Sequence, residues 1–338
     1  MHPACPRGLY LDRKLEAYAT RKLEAYATWT VLTHHRESLL MRWILATFVA
    51  LIASVATAHP LQAALVVNGY TPATAGKYDR FANDASFIGN AYNWSGVGRT
   101  TGGFWGVLIS PSFVLSSRHH RPSSGEAIRF YLSNDPAGSF VDKSIGSSRI
   151  MADSDLVLTQ LSDATIGVST YAIGNPAANL VGKELFVWGQ PDGPTAMSYE
   201  RLGRNEVSSV SRNFSAPSEL VGQGDVFFYD YNTSATGLGA DEAKVSVGDS
   251  GAPSFVIGPD GPELVGIHWF RYDPTPSGKL GGSGDTLVTS YINEINSAMA
   301  ATGSSERVTV AVPEPAALCL VLAGMSLVFV RRRVPMAG

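Results

Sequence analysis

From about residue 65 to residue 300, apolar residues come in short runs, each cut off by Gly, Pro, Asn, Asp or Ser. FWGVLI (104–109), FVLSS (113–117), AIRFYL (127–132), DLVLTQL (155–161) and ELFVWGQ (184–190) read as strands. So do DVFFYDY (225–231), PSFVIG (253–258), ELVGIHWF (263–270) and TLVTS (286–290). Many short strands between turn residues predict an all-β sandwich or barrel. Only YINEINSAMA (291–300) has helical spacing, with Ile292, Ile295 and Met299 on one face. The pattern predicts a β body closed by one C-terminal helix.

The two ends break this pattern. Met41-Arg42 leads into an apolar run, Trp43 to Ala58, followed by two small-residue cleavage options, Ala56-Thr57-Ala58 and Leu61-Gln62-Ala63. This is the layout of a secretory signal peptide over 41–63. Upstream, RKLEAYAT occurs twice in tandem (13–20 and 21–28). Two copies are too few for a solenoid, so residues 1–40 read as a dispensable or mis-assigned leader, or as a short amphipathic helix. At the other end Pro313-Glu314-Pro315 precedes an apolar stretch, Ala316 to Val330, closed by three arginines. The stretch is short for a stable span, and its arginines belong on the cytoplasmic side. Residues 301–311, beginning ATGSS, read as a linker. The expected body is residues 64–300.

Composition narrows the function. Charged residues make up 16% of the chain and the net charge is −3, which gives no electrostatic case for nucleic acid. The two cysteines, Cys5 and Cys319, both lie in the end segments. The body is therefore expected to have no disulfide, no Cys-ligated zinc and no cysteine nucleophile; no cofactor and no metal are expected.

Three short motifs carry the candidate chemistry. GVLISPSFVLSSRHH (106–120) is strand, turn, strand, then two histidines; ADSDLVLTQL (152–161) puts a carboxylate before an alternating strand; GDSGAP (248–253) sets a serine between glycines. Taken singly, Ser250 reads as a turn serine, Asp155 as a loop carboxylate, and the histidine pair as a solvated corner. In the order His, Asp, Ser they resemble the trypsin-like serine proteases of the chymotrypsin fold. That resemblance implies two six-stranded antiparallel β-barrels with a C-terminal helix and a site in the cleft between them. It also implies an acyl-enzyme mechanism with Ser250 as nucleophile, His119 as general base and Asp155 as its orienting partner, with His120 the alternative base. A serine hydroxyl needs a base to take its proton, and a buried carboxylate fixes the imidazole tautomer. The amides of Gly248 and Ser250 would then receive the oxyanion. Arg118 stands where the family normally has a small residue, and His120 where it often has a cysteine.

The remaining expectations rest on the same resemblance. VVNG (66–69) is similar to the family's activated amino terminus, which implies an ion pair between the Val66 α-amine and Asp249. Lys244, six residues before Ser250, stands where enzymes cutting after basic residues carry an acid. GIHW (266–269) resembles the bacterial glutamyl endopeptidases, so Lys244 and His268 are expected to receive an acidic side chain. The tail resembles the PEP-CTERM sorting signals (312–338), implying transient membrane association and an exosortase-type peptidase as partner near Pro313-Glu314-Pro315. A plain membrane anchor is the alternative there. The combined expectation is an exported bacterial endopeptidase in the periplasm, at the outer surface or in the matrix, acting on proteins or peptides. The alternatives are an inactive protease-like binding module and a β-rich biofilm matrix protein.

Overall fold

The computed structural model describes residues 64–191, 197–215, 222–232, 237–274 and 281–312. The leader (1–40), the signal peptide (41–63) and the sorting signal from Pro313 onward lie outside the described residues. No helix among the described residues is long and apolar enough to cross a membrane.

A short strand β1 (Val66–Val67) and a single helical turn α1 (Ala75–Tyr78) precede the first barrel. That barrel is β2 (Val97–Thr100), β3 (Trp105–Ser110), β4 (Phe113–Ser117), β5 (Ala127–Tyr131), β6 (Phe140–Ile150) and β7 (Leu156–Leu161). The strands pair antiparallel in the order β2-β3-β4-β7-β6-β5, and β2 closes on β5. Both faces of β3 and β4 are buried, which is why these strands read as continuous apolar runs and not as alternation.

The second sheet holds β8 (Glu184–Gly189), β9 (Arg201–Glu206), β10 (Ser209–Ser215), β11 (Gln223–Asp230), β13 (Pro253–Gly258), β14 (Gly261–Tyr272) and β15 (Gly282–Leu287). Between β11 and β13, β12 (Ala243–Lys244) pairs separately with β1. The order β10-β11-β15-β14-β13-β8-β9 places β9 and β10 at opposite ends of the sheet. Val207 and Ser208 alone separate them in the chain, so the two ends are halves of one bent strand and the sheet returns on itself. Asn205 Nδ2 supports the bend by donating to Asp230 O at 3.0 Å and to Ala243 O at 2.6 Å. The first of the two expected barrels is therefore present and closed, and the second half is a seven-stranded antiparallel sheet whose end strands run on from one another at a corner.

An aromatic cluster joins the two halves. Trp94 lies 5.2 Å from Trp188 and 5.4 Å from Phe255, and Tyr171 lies 4.7 Å from Phe255. Burying a Phe-sized side chain contributes about 1.5–3 kcal/mol, so such a cluster stabilises a body with no cysteine among its described residues. Arg80 adds a polar tie. Its Nη1 donates to Glu200 Oε2 at 2.8 Å beside the second barrel, and its Nη2 to Tyr131 O at 3.0 Å on the first.

Two expectations change. The last strand is β15, not 286–290, and Val288–Tyr291 turns as a 3-10 helix into α2 (Ile292–Ala301). Gly284 has no room for a side chain because the Phe270 ring lies on it, so the strand lacks the apolar residues that would have announced it. The stretch 301–311 is not a free linker. Glu306 accepts from Ser112 N, Val308 N donates to Asn296 Oδ1 at 3.0 Å, and Ile173 brackets the next residues through Ile173 N→Thr309 O and Ala311 N→Ile173 O, both 2.8 Å.

Candidate active site

Strand register brings the histidine and the aspartate together. β4 and β7 are antiparallel with Ser117 opposite Leu156, so the residues just after β4 face those just before β7. Arg118 N accordingly donates to Asp155 O at 2.7 Å, and His119 N to Asp155 Oδ1 at 3.0 Å. The second carboxylate oxygen, Oδ2, lies 2.6 Å from His119 Nδ1. Asp155 is fully buried. Burial raises its pKa, while its bonds to His119 work in the opposite direction. Arg118 leaves this geometry intact.

Ser250 arrives from the other barrel, in the turn between β12 and β13, and its Oγ lies 2.8 Å from His119 Nε2. Two glycines make that approach possible. Gly251 has φ +86°, and a Cβ there would meet Ser116 Oγ at 2.7 Å and Ser117 N at 3.1 Å, so it lets the serine turn lie against β4. Gly248 has φ +96°, and a Cβ there would collide with the Gln190 amide nitrogen. Both conformations favour glycine. The turn is fastened by Gly251 N→His268 O at 3.1 Å and Ala252 N→Asp249 O at 2.9 Å. Among the described residues, neither the Gly248 nor the Ser250 amide donates to a protein acceptor. A hydroxyl on an imidazole, an imidazole on a buried carboxylate, and uncommitted backbone donors beside the hydroxyl are the groups that acyl transfer needs.

The other predicted residues are placed differently. His120 turns its ring against Phe104 at 4.5 Å, and the contact to Ser250 Oγ belongs to His119. In the uncleaved chain the Val66 nitrogen is in a peptide bond, so the expected α-amine pair with Asp249 is not formed. Val66 pairs with Lys244 across β1 and β12 and is 36% exposed. The carboxylate of Asp249 accepts instead from Gln190 N at 2.8 Å and Ser246 N at 2.7 Å, while Leu65 Cβ and Asp249 crowd the same side of Gly189. Burial pushes Asp249 from the ordinary 3.8 up to about 7.

His268 is buried inside the second barrel. Its Nδ1 lies 2.9 Å from Asp285 Oδ1, and its Nε2 lies 2.6 Å from Trp188 O. Burial lowers its pKa, but Asp285, Asp249 and the Trp188 carbonyl together outweigh burial and the net direction is up. Both nitrogens face acceptors, so the ring has no donor left for a substrate. The Lys244 ammonium sits 5.0 Å over the Tyr231 ring. No described contact links either residue to Ser250. Sequence reasoning missed Arg99, Gln190 and Trp105, which back the serine turn. A lone arginine in VGRT, flanked by no motif, gives no signal of that position.

A closed barrel, a second antiparallel sheet and the Asp155–His119–Ser250 contact chain together define a serine peptidase of the chymotrypsin type. A family profile described as Trypsin matches residues 83–295, and the chain belongs to that family. Its activity class is serine-type peptide hydrolysis and its substrates are proteins or peptides. Among curated proteins no match is found.

Proposed function

We propose that the protein is an exported serine endopeptidase whose reaction is carried by Ser250, His119 and Asp155. Its main support is the unbroken contact chain, 2.6 Å from Asp155 to His119 and 2.8 Å from His119 to Ser250. Ser250 Oγ attacks the carbonyl carbon while its proton passes to His119 Nε2, and Asp155 holds the Nδ1 proton and stabilises the imidazolium. The amides of Gly248 and Ser250 receive the oxyanion. Collapse expels the amine, which takes the proton from His119. Water, deprotonated by the same imidazole, then releases the acyl group.

Covalent labelling by a fluorophosphonate probe, abolished in Ser250→Ala, is the expected result. A folded wild-type protein that neither labels nor cleaves a peptide library would be a binding or matrix protein instead.

Cleavage after acidic residues rests on the absence of an acid at position 244. The committed nitrogens of His268 weigh against its share in that preference. A library profile dominated by Arg, Lys or Phe before the cut removes it. Export and sorting rest on the two end segments, with an exosortase-type cut near Pro313-Glu314-Pro315. Mass analysis of the mature chain tests both ends. Signal cleavage after Ala63 would put the new α-amine on Ala64, next to the Leu65 that crowds Asp249. There it could pair with the buried carboxylate, a charge costly to leave alone.

A further inference from the structure

Behind the serine turn lies a layer of buried side chains to which the reaction scheme gives no role. Arg99, on β2 of the first barrel, is fully buried. Its Nη2 donates to Gln190 Oε1 at 2.9 Å and to Gly103 O at 3.0 Å, and its Nη1 to Tyr199 O at 2.7 Å. The guanidinium carbon also lies 4.6 Å from the centre of the Trp105 ring.

Gln190 and Trp105 are the side chains that meet Gly248. Trp105 Nε1 donates to Gly248 O at 3.3 Å. The Gln190 amide fills the space a Cβ on Gly248 would take, and its Nε2 lies 3.5 Å from Val247 O. The Gln190 backbone also grips Asp249, the residue between the two candidate oxyanion amides, at 2.8 Å. One guanidinium thus holds both supports of the turn, from the opposite barrel.

The geometry points to Arg99 as a positioning residue for the oxyanion-binding turn: it fixes Gln190 and Trp105, which orient the Gly248 peptide, and sets a buried positive charge behind it. The inference rests on the assignment of Ser250 as nucleophile. Burial lowers the Arg99 pKa to about 10, which leaves it charged at neutral pH. Burial moves Asp249 up and His120 down, and Arg99 adds a smaller lowering pull on each. A charge in a water-poor interior is weakly screened. It also needs no reorganisation when negative charge develops nearby.

A side chain that only joins the barrels would affect stability and leave turnover alone. Arg99→Met keeps the apolar stem and removes the fork and the charge; Arg99→Lys restores the charge without the fork. The full-length protein is assayed for kcat and KM on a peptide amide, and for the Ki of a peptide aldehyde of matching sequence. The serine hydroxyl adds to the aldehyde carbon and the former carbonyl oxygen enters the oxyanion site.

Arg99→Met is expected to lower kcat about tenfold to a hundredfold, to raise the aldehyde Ki by a similar factor, and to leave KM within about threefold. Arg99→Lys should recover part of both. A folded Arg99→Met with kcat and Ki within about threefold of wild type overturns the inference, as does a rise in KM alone. Should Arg99→Met fail to fold, Gln190→Met cuts the link while sparing the arginine, and unchanged kcat and Ki there overturn it equally. Loss of the underlying assignment is separable: Ser250→Ala that still hydrolyses and labels sinks the nucleophile and the inference with it.

Discussion

The two sides of the cleft reach their geometry by different means. On the first barrel, backbone register does most of the work: Ser117 opposite Leu156 obliges His119 and Asp155 to meet. On the second, Ser250 sits in a turn with φ +96° at Gly248 and φ +86° at Gly251, packed on Gln190 and on β4. One half is positioned by strand register together with the Asp155 carboxylate. The other depends on side chains that are absent at two positions and buried at others. Their carboxylates differ in the same way. Asp155 faces an imidazole, whereas Asp249 accepts from two backbone amides, and burial takes it to about 7.

The largest effect comes from the register-built half. Asp155→Asn should leave the fold intact and lower kcat by about 10⁴, through the wrong histidine tautomer; a melting curve beside the rate separates this from unfolding. Next is the pH response of Asp249. Its folded value lies above its ordinary one, so its stabilising contribution is fully present below about pH 4 and is lost as pH rises through about 7. A shift of about three units amounts to roughly 4 kcal/mol at most. Denaturant midpoints of the unprocessed chain should therefore fall over that window, and Asp249→Asn should flatten the slope. A newly freed α-amine beside Asp249 should flatten it too.

Smallest is a pair of glycine replacements. Gly251→Ala combines a positive φ with collision against Ser116 and Ser117, whereas Gly125→Ala has φ +84° and nothing within 4 Å of the added carbon. The second should cost about 1 kcal/mol, and the first more, up to about 3 kcal/mol, with a fall in kcat that Gly125→Ala does not share. Equal melting shifts would mean that close approach to β4 matters little.

The sequence announced the strands whose buried residues are apolar, such as β4, β13 and the middle of β14. It was silent on β6, whose residues are mostly exposed, and on β9, whose buried residues include Arg201 and Asn205. Hydropathy registers burial of carbon, so strands buried through charge or left in water escape it. The same division runs through the site. Ser250, His119 and Asp155 stand in motifs whose flanks are read locally. His268 was misplaced because its partner, Asp285, is set by a strand pairing that no local motif reports.

The short segment around Val310 has a practical corollary. Its bonds to Ile173 end at Ala311, and Val312 is already 79% exposed. A peptidase that trims the chain beyond that point severs no hydrogen bond that Ile173 makes to it.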